Sequence, residues 1–235
     1  MSLSSSLTEI RKKIIRAQRR GGYNHPVLIV AVTKTHPAEL IELAYANGIR
    51  CIGENKVQEG EEKFSLLPNL PGLKKRMIGH LQSNKINKAI RLFDSIDSIN
   101  SLRLAEKLNI RANNFGRTIS VLLEVNTSGE KTKFGFSPKT IDDMLAVCEL
   151  NRIDVQGLMT VGPLTSNKKE IRNSFICLKK ARETLNSQLS GYMLTDLSMG
   201  MSNDYELAVE EGSTMVRLGA ALFGPRGEYS KQRQE

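Results

Sequence analysis

Short apolar runs alternate along this chain with longer stretches in which apolar residues return every three or four positions. The clearest run, Val27-Leu28-Ile29-Val30-Ala31-Val32, has no polar break and is mostly β-branched; Thr33 and Lys34 follow it. A run of this kind belongs to a strand covered on both faces, as in parallel sheets flanked by helices. Further strands are predicted over 49–53, 76–80, 92–96, 118–125, 155–160, 193–199 and 214–218. Helical spacing is predicted over 4–20, where Leu3, Leu7, Ile10, Ile14 and Ile15 form one stripe and Gly21-Gly22 a stop. It returns over 37–46, 54–59, 98–113, 138–149, 167–188 and 202–211. Eight strand signals about 20 to 40 residues apart, with helices between them, predict an α/β fold: a single (β/α)8 barrel of the TIM type. A doubly wound open sheet is the rival, but no G-x-G-x-x-G follows the first run. With no linker or low-complexity break, one domain is expected over 1–235, carrying an extra N-terminal helix within 1–22 and a frayed polar tail over 227–235.

Composition narrows the functional classes. Hydrophobic residues make up 40% of the 235, and no run approaches the roughly 18 apolar residues of a membrane span. A serine-rich amino terminus leads into Arg11, Lys12 and Lys13 without an apolar segment, so no secretory signal is expected. Cys51, Cys148 and Cys177 are odd in number and lack metal-ligand spacing. Reduced thiols of a cytoplasmic protein fit them, and no metal site is expected. The formal net charge of +9 raises the case of a nucleic-acid binder. Much of that charge, however, sits in one helix (Arg11, Lys12, Lys13, Arg16, Arg19, Arg20), and the absence of tryptophan leaves few platforms for base stacking. A surface that attracts small anions is the reading kept, with no nucleic-acid or membrane partner and a monomer expected. Glu54, Glu59, Glu61 and Glu62 read as a solvated helix face.

Reactive groups in a barrel collect where strands end. Those ends carry Lys34, Asn55, His80, Asn126, Thr160, Ser198-Met199-Gly200 and Arg217. A desolvated lysine amine is a nucleophile toward carbonyls. Leu197-Ser198-Met199-Gly200-Met201-Ser202-Asn203-Asp204 stops a strand at a glycine and opens a helix, with Ser202 or Asn203 as N-cap and free N–H groups for an anion. In Arg217-Leu218-Gly219-Ala220-Ala221 the glycine lets backbone N–H groups close on a ligand, in the loops where many barrels hold phosphate. Each feature alone is ordinary capping or turn chemistry. Together, one amine, one phosphate cradle and one guanidinium match pyridoxal 5′-phosphate (PLP). Lys34 would form a Schiff base, Ser202 and the Gly219 and Ala220 amides would hold the phosphate, and Arg217 would face the pyridine nitrogen.

Five blocks resemble one known family, the pyridoxal phosphate homeostasis proteins, which are alanine-racemase-like and of fold type III. They are Ala31-Val32-Thr33-Lys34; Gly53-Glu54-Asn55-Lys56-Val57-Gln58-Glu59; Gly79-His80-Leu81-Gln82-Ser83-Asn84-Lys85; the Leu197 to Asp204 block; and Gly212-Ser213-Thr214-Met215-Val216-Arg217-Leu218-Gly219. The resemblance runs in order over 27–226. It implies that Lys34 is the cofactor lysine, Ser202 and Gly219 are phosphate contacts, and Arg217 is the ring-nitrogen arginine. Asn55, His80 and Met199 match positions lining the pocket. The implied activity is binding of PLP and its delivery to apo-enzymes as acceptors, with little or no catalytic turnover.

An arginine at the ring nitrogen is a poor proton donor and leaves the ring a weak electron sink, which disfavours transamination and decarboxylation. Racemisation survives that handicap, so a minimal PLP-dependent amino-acid racemase is the alternative. Alanine racemases of this fold type carry a further β-rich domain and use a tyrosine base supplied by a partner. No such domain is expected here, and none of Tyr23, Tyr45, Tyr192, Tyr205 and Tyr229 falls at a predicted strand's carboxyl end.

Overall fold

Eight parallel strands close into a barrel in strict sequence order in the computed structural model, which describes residues 2–130 and 132–225. They are β1 (Leu28–Val32), β2 (Cys51–Glu54), β3 (Lys74–Met77), β4 (Ser95–Ile99), β5 (Ile119–Glu124), β6 (Ile153–Met159), β7 (Asp196–Ser198) and β8 (Met215–Leu218). The barrel shuts where β8 pairs with β1, from Leu28 opposite Met215 to Ala31 opposite Leu218. Helix α1 (Leu3–Gly21) precedes the barrel. The helices that follow the strands are α2 (Ala38–Ala46), α3 (Val57–Leu66), α4 (Ile86–Leu92), α5 (Leu102–Asn114), α6 (Ile141–Cys148), α7 (Lys168–Asn186), α8 (Tyr205–Glu210) and α9 (Ala220–Phe223). The expected TIM-type barrel and its added helix are therefore present; the expected frayed tail over 227–235 and Tyr229 lie outside the described residues.

Side chains alternate between the two faces of each strand. Ala31, Ile52, Met77, Ile96, Val121, Leu123, Leu158, Leu197, Val216 and Leu218 point outward and meet the helices in two apolar clusters. Inside, Val30, Cys51, Leu122, Met159 and Met215 form a much smaller cluster. The remaining interior is polar. Arg76 Nε donates to Asp97 Oδ2 at 2.6 Å, and Ser95 Oγ donates to the other oxygen of the same fully buried carboxylate.

Those inward polar residues displace two predicted strands. β3 is the basic stretch Lys74–Met77, not 76–80, and β4 is Ser95–Ile99, not 92–96, since Leu92 closes α4. Arg76 and Asp97 neutralise each other inside the barrel. The first strand also departs from the expectation of cover on both faces. Val30 and Ala31 are fully buried, but Leu28 is 41% exposed at the barrel's amino-terminal end.

Helix α1 is built as its sequence suggests. Ser2 caps it by accepting from the Ser5 amide, Leu3, Leu7, Ile10, Ile14 and Ala17 line its buried face, and Gly22 ends it at φ +75°. It lies against α8 so closely that a Cβ on Gly21 would stand 2.3 Å from the Glu210 carbonyl oxygen. Arg20 Nε and Arg172 Nη2 grip the two oxygens of Glu210 at 2.6 and 2.5 Å, and Arg172 Nη1 reaches Glu211. Part of the basic face of α1 is thus paired, and with Arg172 it ties α1 and α7 to α8.

Candidate functional site

Lys34 sits in the turn between β1 and α2, two residues beyond the strand, and is half-buried. The residues on either side of it are anchored. Thr33 is fully buried, and its N–H donates to Gly53 O at 3.1 Å while its hydroxyl donates to Glu54 Oε1 at 2.6 Å. Its carbonyl accepts from Lys63 Nζ at 2.7 Å. Thr35 adopts φ +65°, alone among the described non-glycine residues, a conformation that costs an L-residue about 1–2 kcal/mol. Its amide donates to Glu59 Oε1. Lys63 completes the arrangement with ion pairs to Glu54 at 2.8 Å and Glu59 at 2.6 Å.

This overturns the reading of Glu54 and Glu59 as part of a solvated helix face. Glu54 belongs to β2 and is fully buried, and Glu59 is half-buried under the turn. Glu61 is half-exposed and pairs with Lys88 at 2.7 Å, and Glu62 is exposed. Burial pushes the Glu54 carboxyl up against the opposing pull of Lys63 and Thr33, and its Oε2 is buried with no hydrogen-bond partner. For Glu59, burial acts upward too, but the hydrogen bonds from Lys63 and Thr35 win and hold it below the ordinary carboxylate value. The Glu59–Lys63 spacing of four residues on a helix was the signal available in sequence.

A second cluster forms where β7 and β8 end. Gly200 turns at φ +94°, and a Cβ there would stand 2.6 Å from Ala208 Cβ and 2.9 Å from Tyr205 Cα. Only glycine lets the chain fold this tightly onto α8. Ser202 then does not cap α8 as expected; the N-cap position is Asp204, and the Ser202 hydroxyl accepts from the Ala221 amide at 3.0 Å. Gly219 lies directly beside the end of β1, with the place of a Cβ 3.6 Å from Val32 O. The Lys34 turn, Gly219, the exposed Ala220 and Ser202 therefore share one stretch of the barrel's carboxyl-end rim. Of the opening amides of α9, that of Ala221 is taken by Ser202, while that of Ala220 has no acceptor within its own helix and suits an anion.

Arg217 occupies the interior next to this rim and is only 4% exposed. Its Nη1 donates to Ser198 O at 2.8 Å and Ser198 Oγ at 2.7 Å, and its Nη2 donates to Thr160 O at 2.7 Å. The guanidinium thereby clamps the carboxyl ends of β6 and β7. Burial works to lower its pKa, while Asp97, Asp204 and Glu124 hold the charge in place. Glu124, which lies inside the strand expected over 118–125 and ends β5, is pushed up by burial against the pull of Arg217. It lines a cavity of about 200 Å3 together with Lys133, Phe134 and Val161. Asn126 holds the loop beside that cavity, donating to Glu130 O at 2.9 Å and accepting from the Gly129 amide at 3.1 Å.

The other expected pocket residues stand apart in different ways. Asn55 is half-buried just past β2, pressed so close to the end of β3 that a Cβ on Gly79 would meet its carbonyl oxygen at 2.4 Å. His80 is exposed on the rim, its ring stacked on Phe134 at 4.2 Å and its Nδ1 3.1 Å from Asn100 Nδ2. The Met199 side chain is fully buried in the layer between barrel and helices, and its backbone is taken up by Met215 O and the Ser213 hydroxyl. Tyr205 is buried against α1 and α9 in the helical layer. Among the described residues there is no cluster of three His, Cys, Asp or Glu side chains suited to a metal ion, and no helix long and apolar enough to cross a membrane.

The family model for the alanine racemase N-terminal domain matches residues 6–227. The chain is 36% identical to a pyridoxal phosphate homeostasis protein of Aquifex aeolicus, covering 96% of this chain and 99% of that protein. It is 35% identical to the human protein of the same name, over 99% of this chain and 89% of the other. Among solved structures, PipY of Synechococcus elongatus PCC7942 with PLP bound superposes at a TM-score of 0.84, with 36% identity over 95% of this chain and all of that one.

Proposed function

The chain belongs to the alanine racemase N-terminal domain family and, within it, to the pyridoxal phosphate homeostasis proteins, and on that premise we propose that it binds PLP at the carboxyl-end rim of its barrel. The observation that carries this reading is the convergence of the Lys34 turn, Gly219 and the Ser202–Ala221 hydrogen bond at the seam between β8 and β1, with Arg217 buried beside it. The donor set fits the cofactor. Ser202 and the Gly219–Ala220 amides offer hydroxyl and N–H donors to a phosphate, and Arg217, already committed to Thr160 and Ser198, presents a fixed cation to the pyridine nitrogen. When bound, the cofactor supplies an aldehyde that condenses with a primary amine, releasing water as a Schiff base forms; Lys34 is the amine assigned to that bond.

Storage and delivery, with little or no turnover, is the activity we assign. Arg217 stays charged and cannot hand a proton to the ring nitrogen, so the ring is left a weak electron sink. Tyr205 is buried in the helical layer, so it is no candidate for a proton-transferring base at the mouth. Apo-enzymes that take the same cofactor are the acceptors, and a cytoplasmic monomer is the form expected to serve them. The test is direct: the purified protein loaded with cofactor absorbs in the visible, and Lys34→Ala does not. Incubation of the loaded protein with L-alanine, L-serine and L-threonine, scored by chiral chromatography, yields no D-isomer; steady formation of one would establish the racemase instead.

A further inference from the structure

Three charged side chains lie under the Lys34 turn with no part in holding a ligand: Lys63 from α3, Glu54 from β2 and Glu59 from α3. Stability alone explains them poorly. Burying a lysine and a glutamate costs several kcal/mol each before their attraction offsets it, and apolar replacements are often neutral or better. One carboxylate oxygen of Glu54 is buried without a partner, a further cost. Their bonds, however, are aimed at one place. An ammonium has three protons, and Lys63 directs its three to Thr33 O, Glu54 Oε1 and Glu59 Oε1. Glu54 Oε1 takes the Thr33 hydroxyl, and Glu59 Oε1 takes the Thr35 amide. Residue 33 is thus fixed at its oxygen and its hydroxyl, and residue 35 at its amide in a left-handed conformation. The residue between them is Lys34.

We propose that Lys63, acting with Glu54 and Glu59, is a positioning residue that sets where the Lys34 amine stands at the barrel mouth. The proposal rests on the reading of Lys34 as the cofactor lysine. Condensation of an amine with an aldehyde depends on the two atoms being held in line, and misplacement by about 1 Å costs on the order of a hundredfold. Non-covalent binding of phosphate and ring does not depend on that placement. The clamp therefore acts on one component of affinity and leaves the other alone.

Two probes separate those components. PLP can condense with Lys34, whereas pyridoxine 5′-phosphate carries an alcohol in place of the aldehyde and cannot. Equilibrium titration of the full chain with each gives a margin by which the aldehyde binds more tightly. In the double variant Glu54→Gln/Lys63→Met, which removes both buried charges together, the margin shrinks by about tenfold or more while pyridoxine 5′-phosphate binds as before. Glu59→Ala, at a partly exposed site, releases the Thr35 amide and one Lys63 proton but leaves Lys63 on Thr33 O and Glu54, so it shrinks the margin by a smaller factor; should the double variant fail to fold, it decides alone. An unchanged margin in folded variants overturns the proposal, and so does an equal loss for both probes, which would mark a merely structural role. A wild-type protein with no margin at all would overturn the Lys34 assignment itself, and the clamp with it.

Discussion

The Ser202 hydroxyl accepts a hydrogen bond from the Ala221 amide at 3.0 Å, joining the loop after β7 to the turn after β8. Two segments 19 residues apart are held as one cradle beside the end of β1. Removing the hydroxyl with Ser202→Ala costs this bond and, in the proposed site, one donor to a bound phosphate. A hydrogen bond to a charged group contributes about 1.5–3 kcal/mol, so affinity for PLP falls about ten- to a hundredfold. Affinity for unphosphorylated pyridoxal is unchanged. Equilibrium titration with the two ligands checks the contrast.

Arg217 stitches β6 and β7 from inside the barrel through Thr160 O, Ser198 O and Ser198 Oγ. A lysine in its place keeps the charge but gathers its three protons on one nitrogen, without the planar fork whose two nitrogens reach Ser198 and Thr160 separately. Arg217→Lys is expected to lower the free energy of unfolding by about 2–4 kcal/mol, since buried acceptors lose their donors. Urea denaturation monitored by circular dichroism measures it.

Gly200 and Gly116 both have positive φ, at +94° and +62°, but only Gly200 is crowded. A Cβ at Gly116 meets nothing within 4 Å, whereas at Gly200 it overlaps Ala208 and Tyr205. Gly116→Ala should cost about 1 kcal/mol of backbone strain. Gly200→Ala should cost that plus about 1–3 kcal/mol of overpacking, and it should weaken phosphate binding by displacing Ser202. Thermal melts of the pair isolate the steric part.

Acid weakens the junction of α1, α7 and α8. Burial acts to raise the Glu210 carboxyl, but hydrogen bonds from Arg172 and Arg20 win and hold it below the ordinary value. The unfolded chain then binds more protons in the window between that depressed value and the unperturbed one near about 4.3. The contribution is therefore complete above that window and lost as pH falls through it. Glu210→Gln should be less stable than wild type at pH 7, and the gap should close toward pH 3. Denaturation midpoints across that range provide the check.

Much of the barrel was legible because its signal lies on the outward faces of the strands. Ala31, Ile52, Val121, Leu158, Val216 and their neighbours are apolar whatever the interior holds. The errors came from the inward face, where Arg76 and Asp97 pair and break the runs that mark β3 and β4. At the site, Lys34, Gly219 and Arg217 stood out by residue type at strand ends. The N-cap expected at Ser202 or Asn203 falls instead at Asp204, and the Ser202 hydroxyl serves a neighbouring loop and not its own helix. Glu54 and Glu124 were not legible, since each becomes distinctive only when the closed barrel buries it; Lys63 showed only its spacing of four from Glu59, not the bond it makes to Thr33 O.

The Schiff base proposed at Lys34 can be trapped by reduction. The protein loaded with PLP is treated with borohydride, digested, and its labelled peptide sequenced by mass spectrometry. The account predicts a single reduced pyridoxyl adduct on Lys34, absent from Lys34→Ala. An adduct on another lysine, or undiminished labelling of the Lys34→Ala protein, would contradict it.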